Sequence, residues 1–165
     1  MLVPFLLAVD FMNFTYAVKP NPCGANQTTA LVMRKGTFSY KDPQPTSDAE
    51  YATFVRGVTE GTLVTRQKHA VVVISCDYPA DGGAAGAYLY AETKAGATLV
   101  ARVGSASWGT DWGAGPQSIH VRFQKNLLYV DQCKNIDCTL NVVTTYAIKN
   151  GNLTKVYIET HKRKD

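Results

Sequence analysis

The sequence has no C-x-x-C pair, no glycine-rich phosphate loop, no dinucleotide fingerprint and no stretch of sustained helical period. The first absence denies a tetrahedral zinc site the closely spaced ligands it normally draws on. The next two remove the usual nucleotide-binding frameworks, and the last removes folds built on helices. Charge is scarce as well: 18% of the 165 residues are charged against 45% hydrophobic, a globular composition with fewer charges than an average cytosolic chain. Basic residues outnumber acidic ones 17 to 13. Much of that excess sits at the chain end, in Lys162, Arg163 and Lys164. A nucleic-acid footprint needs basic side chains gathered on a folded face, so no nucleic-acid partner is expected.

No apolar run is long enough to span a bilayer, so no integral membrane segment is expected. The longest at the N-terminus, MLVPFLLAVD, lacks a positive leading region and reads as a signal peptide without its front end, cleaved around Ala8. A first strand or short helix packed on the domain is the competing interpretation. The expected organisation is a truncated signal peptide over 1–9, a single β domain over 10–160 and a basic tail over 161–165, a length that suits one core.

Four cysteines, Cys23, Cys76, Cys133 and Cys138, give an even count and three pairings. Disulfides Cys133–Cys138, closing a small loop, and Cys23–Cys76, tying an early loop to a central strand, fit an oxidising compartment, periplasmic or secreted. Four reduced cysteines buried as small hydrophobes are the alternative.

What the chain does have is strand signals. AVVVISC, residues 70–76, is a β-branched run suited to a strand covered on both faces. NVVTTYAIKNGNLTKVYIET alternates apolar and polar positions around Asn150-Gly151, the strongest short hairpin signal. Weaker turns at Lys35-Gly36, Ala95-Gly96 and Lys125-Asn126 separate further strand pairs. The expected fold is all-β, an antiparallel meander forming a sandwich, a curved open sheet or a small barrel. At most one short helix is expected, over residues 47–58, with Ser47 or Asp48 as N-cap. KDPQPTSD, 41–48, and DYPADGGAAG, 77–86, read as loops, the second long and mobile.

Catalytic chemistry finds little purchase. Ser105 and Ser107 lie near Gly104 and Gly109 without forming G-x-S-x-G. His69 and His120 read as strand-face residues and His161 as part of the tail, so no triad is assembled. Asp77, Asp81 and Asp111 are candidates for a glycosidase pair, yet each also reads as an ordinary loop acid. Asp77 and Asp81 lack the spacing of a calcium loop, and no metal or cofactor is expected. Sequons at Asn13, Asn26 and Asn152 are taken as chance products of a threonine-rich chain. The best functional stretch is SASWGTDWGAGP, 105–116, which holds both tryptophans outside any clear periodicity. Trp108 and Trp112, with Asp111 and Tyr78, form the candidate binding set, and Tyr88 and Tyr90 are candidates to extend it. The competing role for the tryptophans is filling a core edge.

The stretch Asp10, Phe11, Asn13, Phe14, Thr15 and Tyr16, followed by the order of strands already described, resembles a loose group of small exported bacterial proteins of uncharacterised function. The resemblance implies a bacterial, exported, β-rich protein and brings no activity with it. Many members carry an acidic Asp-Gly-rich turn before the central strand. Here that place reads TEGTLVTRQKH, a departure from the group's pattern, so the calcium-like role that such a turn suggests does not carry over. The expected function is therefore a non-enzymatic binding module holding a protein partner, as inhibitors and immunity proteins do. A carbohydrate-binding or glycan-hydrolysing domain is the alternative.

Overall fold

The structure is a computed structural model that describes residues 9–16, 30–41, 50–77, 82–108, 119–134 and 138–162. The chain is all-β. Five strands form one antiparallel sheet in sequence order: β3 (Thr37–Lys41), β4 (Glu50–Val64), β5 (Gln67–Asp77), β6 (Gly83–Thr93) and β7 (Gly96–Trp108). Four more form a second: β8 (Ile119–Gln124), β9 (Leu127–Cys133), β10 (Leu140–Lys149) and β11 (Asn152–Lys162). A short pair, β1 (Thr15–Tyr16) and β2 (Leu31–Val32), lies beside a single 3-10 turn over Phe11–Asn13.

The tight connections follow from turn chemistry. Lys35-Gly36, Lys125-Asn126 and Asn150-Gly151 all have positive φ at both central residues, the condition of a type I′ turn whose twist matches the strands it joins. The turn before β5 places Arg66 at φ 68°, a position without glycine or asparagine and hence without a sequence signal.

Each face of the five-stranded sheet is covered by different material. On one side Val71, Val73, Ala85, Ala87, Leu89 and Val103 pack against Ile119, Leu128, Val130 and Tyr146 of the second sheet. Hydrogen bonds join the two sheets from Tyr146 Oη to the Val103 carbonyl at 3.0 Å, from the Ser105 amide to Gln132 Oε1 at 3.0 Å and, at the rim, from Thr62 Oγ1 to Asn126 Oδ1 at 3.4 Å. On the other side Ala70, Val72, Ile74, Tyr88 and Tyr90 pack against Phe11, Tyr16, Leu31 and Met33. This double cover is why AVVVISC reads as unbroken hydrophobicity.

The N-terminal cover is built by the Asp10–Tyr16 stretch. Asp10 accepts from the Met12 amide at 3.0 Å and from Asn13 Nδ2 at 2.8 Å. Asn13 Oδ1 in turn accepts from the Lys35 amide at 2.9 Å, fixing the turn between β2 and β3. Phe11, Phe14, Tyr16 and Tyr90 form a ring cluster with centroids 5.0 to 5.8 Å apart, and Tyr16 Oη donates to the Phe11 carbonyl. Both polar ends of the Asn13 amide are thus engaged in holding the cover.

Four expectations are corrected. Residues 50–58, expected as the body of a short helix, belong to β4: Thr53, Val55, Val58 and Thr59 are β-branched, and β5 pairs along the strand. Gly83–Gly86, expected in a long loop, are strand, because Ala85 and Ala87 are wholly buried and the crowded interface accepts only small residues. Ser105–Trp108 continue β7, paired with Gly83–Gly86. β11 extends through Lys162, so His161 lies in a strand and pairs with Glu159 at 3.3 Å. Residues 1–8 and 42–49 lie outside the described residues.

Cys133 and Cys138 form a disulfide that closes the turn between β9 and β10, and Cys76 is also disulfide-bonded. Cys23 lies outside the described residues. No helix among the described residues is long and apolar enough to cross a membrane.

Candidate binding cleft

β4 carries a bulge at Arg56: Val55 pairs with Ile74 and Gly57 with Val73, so Arg56 is the extra residue. A bulge re-aims the side chain it inserts. Here it turns the guanidinium back across β5, where Nε donates to Ser75 Oγ at 2.6 Å and Nη2 to Asp77 Oδ2 at 2.8 Å, 4.5 Å above the Phe54 ring. Both side chains of the ion pair are well exposed, so its contribution to stability is at most about 1 kcal/mol. Its effect is to hold Arg56 in one direction.

Opposite Arg56 stands β8, the edge strand of the second sheet. Strands β4 and β8 touch where Gly61 meets Phe123: a Cβ there would lie 2.2 Å from the ring, so only glycine permits the approach. At Gly57 a Cβ would meet nothing within 4 Å. The strands therefore diverge, leaving a cleft of about 460 Å³ lined by Arg56, Gly57, Thr59, Val73, Ile119, His120 and Val121. Its floor is aliphatic and its rim holds a guanidinium, a hydroxyl and an imidazole.

Of the SASWGTDWGAGP stretch, Ser105–Trp108 are described, and their backbone lies at the same end of the five-stranded sheet. Asp77, Gly83 and Trp108 are register partners across β5, β6 and β7, so the backbone sets Trp108 two strands from the carboxylate that holds Arg56. Tyr78 follows Asp77 in the chain; Tyr78, Asp81, Asp111, Trp112 and the Trp108 side chain lie outside the described residues. Tyr88 and Tyr90 do not extend this surface. They are 0% and 2% exposed, facing the N-terminal cover. Burial raises the pKa of both, that of Tyr88 to about 12, which keeps them neutral core groups.

The histidines separate by environment. His69 is buried in β5, where Nδ1 lies 3.4 Å from the Leu63 amide and 3.2 Å from the Gln67 carbonyl, and burial lowers its pKa. It is a neutral structural group. His120 is exposed and lines the cleft. Asp77, a glycosidase candidate from the sequence, is committed to Arg56. Among the described residues no three His, Cys, Asp or Glu side chains gather to hold a metal. Arg56 was invisible in the sequence, because a bulge shows itself only through the partner strand's register; Arg56-Gly57 inside a β-branched run was the sole hint. No protein-family model matches the chain, nor does any curated protein or solved structure, so its function has to follow from these residues.

Proposed function

We propose that the chain is an exported, disulfide-bonded, non-enzymatic binding domain of the inhibitor or immunity type, holding a protein partner at the β4–β8 cleft and the adjoining end of the sheet. The observation that carries this is the cleft: an aliphatic floor under a polar rim, on a rigid sandwich, with volume for one or two large side chains of a partner. Its guanidinium is already oriented by Ser75 and Asp77, so little ordering entropy remains to be lost on association. Trp108 sits at the same end, and arginine and tryptophan are the residue types that most often dominate binding energy. The Cys133–Cys138 bond fits a compartment outside the reducing cytosol, periplasmic or secreted, in keeping with the resemblance to small exported bacterial proteins.

The test is affinity capture from a bacterial envelope extract with the oxidised domain, read by mass spectrometry. Arg56→Ala and a Trp108→Ala/Trp112→Ala double variant run alongside. One protein held stoichiometrically by the native domain and lost with folded variants is the expected result. The same proteins held equally by all three, or none held by the native domain, would overturn the proposal.

A further inference from the structure

A second, smaller cavity of about 180 Å³ opens on the outer face of the four-stranded sheet, lined by His120, Val121, Arg122, Tyr129, Asp131 and Val143. Register sets these side chains in rows: Arg122, Tyr129, Thr145 and Tyr157 in one, His120, Asp131, Val143 and Glu159 in the next, Asn141 and His161 beyond. Among the described residues four buried side-chain atoms have no hydrogen-bond partner, and two of them, Asp131 Oδ1 and Asn141 Oδ1, fall on this face in adjacent rows. An unpaired buried acceptor is a standing cost that folding alone gives no reason to keep.

The donors lie beside these acceptors. The Arg122 guanidinium carbon lies 3.9 Å from the centre of the Tyr129 ring, with Nη1 donating to Gln124 Oε1 at 2.6 Å and further N–H groups remaining. His120 stands directly across from Asp131. A cationic ligand would meet Arg122, and an anionic one would meet Asp131. A ligand that both donates and accepts while carrying no charge suits Asp131, Arg122 and His120 together. The volume holds about six waters at the ~30 Å³ each occupies in the liquid, the scale of one small ring. Val143 supplies an apolar wall for its C–H surface.

We propose that this face binds one neutral sugar unit through a pair of adjacent hydroxyls, one donating to Asp131 Oδ1 and both accepting from Arg122 and His120. The site is distinct from the protein-binding cleft but shares His120 with it, which makes the domain a bridge between a glycan and a protein partner.

The probes are glucose, galactose, mannose and N-acetylglucosamine at millimolar concentration, with butylammonium and acetate as ionic controls, titrated into the full oxidised chain and followed by amide NMR. At least one sugar should shift the amides of His120, Asp131 and Val143. Asp131→Ala should weaken it by at least about tenfold, the loss expected for a charged hydrogen bond, while Arg56→Ala leaves it unchanged. Asp131→Ala also removes an unpaired acceptor, so its melting temperature should hold or rise, which separates lost binding from lost folding. No shift with any of the four sugars, shifts undiminished in Asp131→Ala, or a stronger response to either ion would overturn the proposal.

Discussion

β5 and β9 are both interior strands of their sheets, yet eight consecutive residues of β5, His69 to Cys76, are buried, whereas in β9 only Leu128 and Val130 are. The centre of the five-stranded sheet is covered on both faces, and its recognition chemistry is confined to the bulge at Arg56 and the end of β7 at Trp108. The four-stranded sheet is covered on one, and its alternate positions carry His120, Arg122, Asp131 and Glu159, side chains the core does not need. The difference divides labour: one sheet holds the fold, and the other, with the seam between them, presents chemistry. Bulged Arg56 lies on the boundary, in a strand of the scaffold but aimed toward the seam.

Truncation should tell the two sheets apart most sharply. Ile74→Ala, at a wholly buried position, should lower the unfolding free energy by about 3 kcal/mol, and Val143→Ala on the bare face by under about 1 kcal/mol, measured by urea denaturation. Equal losses would erase the distinction.

Alkali should strike the same buried sheet. Tyr16, Tyr88 and Tyr90 all have pKa values raised by burial above the ordinary 10.0. The folded form then holds protons that the unfolded chain releases, so the tyrosines' contribution to stability should be constant below pH 10 and fall as pH rises beyond it. Tyr88 alone, raised to about 12, accounts for roughly 2 to 3 kcal/mol by pH 12. A urea midpoint unchanged between pH 9 and pH 11.5 would contradict the burial of this cluster.

Removing the Cys133–Cys138 link, which closes a loop of separation 5, should cost about 2 kcal/mol. Cys133→Ser/Cys138→Ser should lower the melting temperature without altering the amide spectrum of β5. A smaller effect is expected from acid. His69 titrates below its ordinary 6.5 because burial disfavours the imidazolium, so stability present above pH 6.5 should be lost as pH falls below it. His69→Gln should flatten that dependence.

How much of this was readable in the chain depends on which physics a residue obeys. The β class, the continuous strand at 70–76 and the Asn150-Gly151 hairpin follow from local rules, and each stands in the structure. The pattern at Ser47-Asp48-Ala49-Glu50 signals a helix start as well as a strand start does; β5 decides between them, and no local rule sees β5. Gly83–Gly86 look like loop residues because glycine and alanine do, until the crowding around Ala85 and Ala87 explains them. Asp10–Tyr16 could be quoted as a motif but not understood, since its Asn13 reaches Lys35 across a connection no spacing rule spans. The alternation of β8 and β9 was visible; that Asp131 and Asn141 would be left without partners was not, because an unsatisfied atom is a property of three dimensions.

The most direct test of the claim that the bare face is kept for a ligand is the thermal unfolding of Asp131→Ala beside the native domain, without added ligand. The account expects a melting temperature equal to or above the native one, because the substitution removes a buried acceptor that has no hydrogen-bond partner within the protein. A fall of several degrees, comparable to a core truncation, would show that Asp131 holds the fold and would contradict the division between the two sheets.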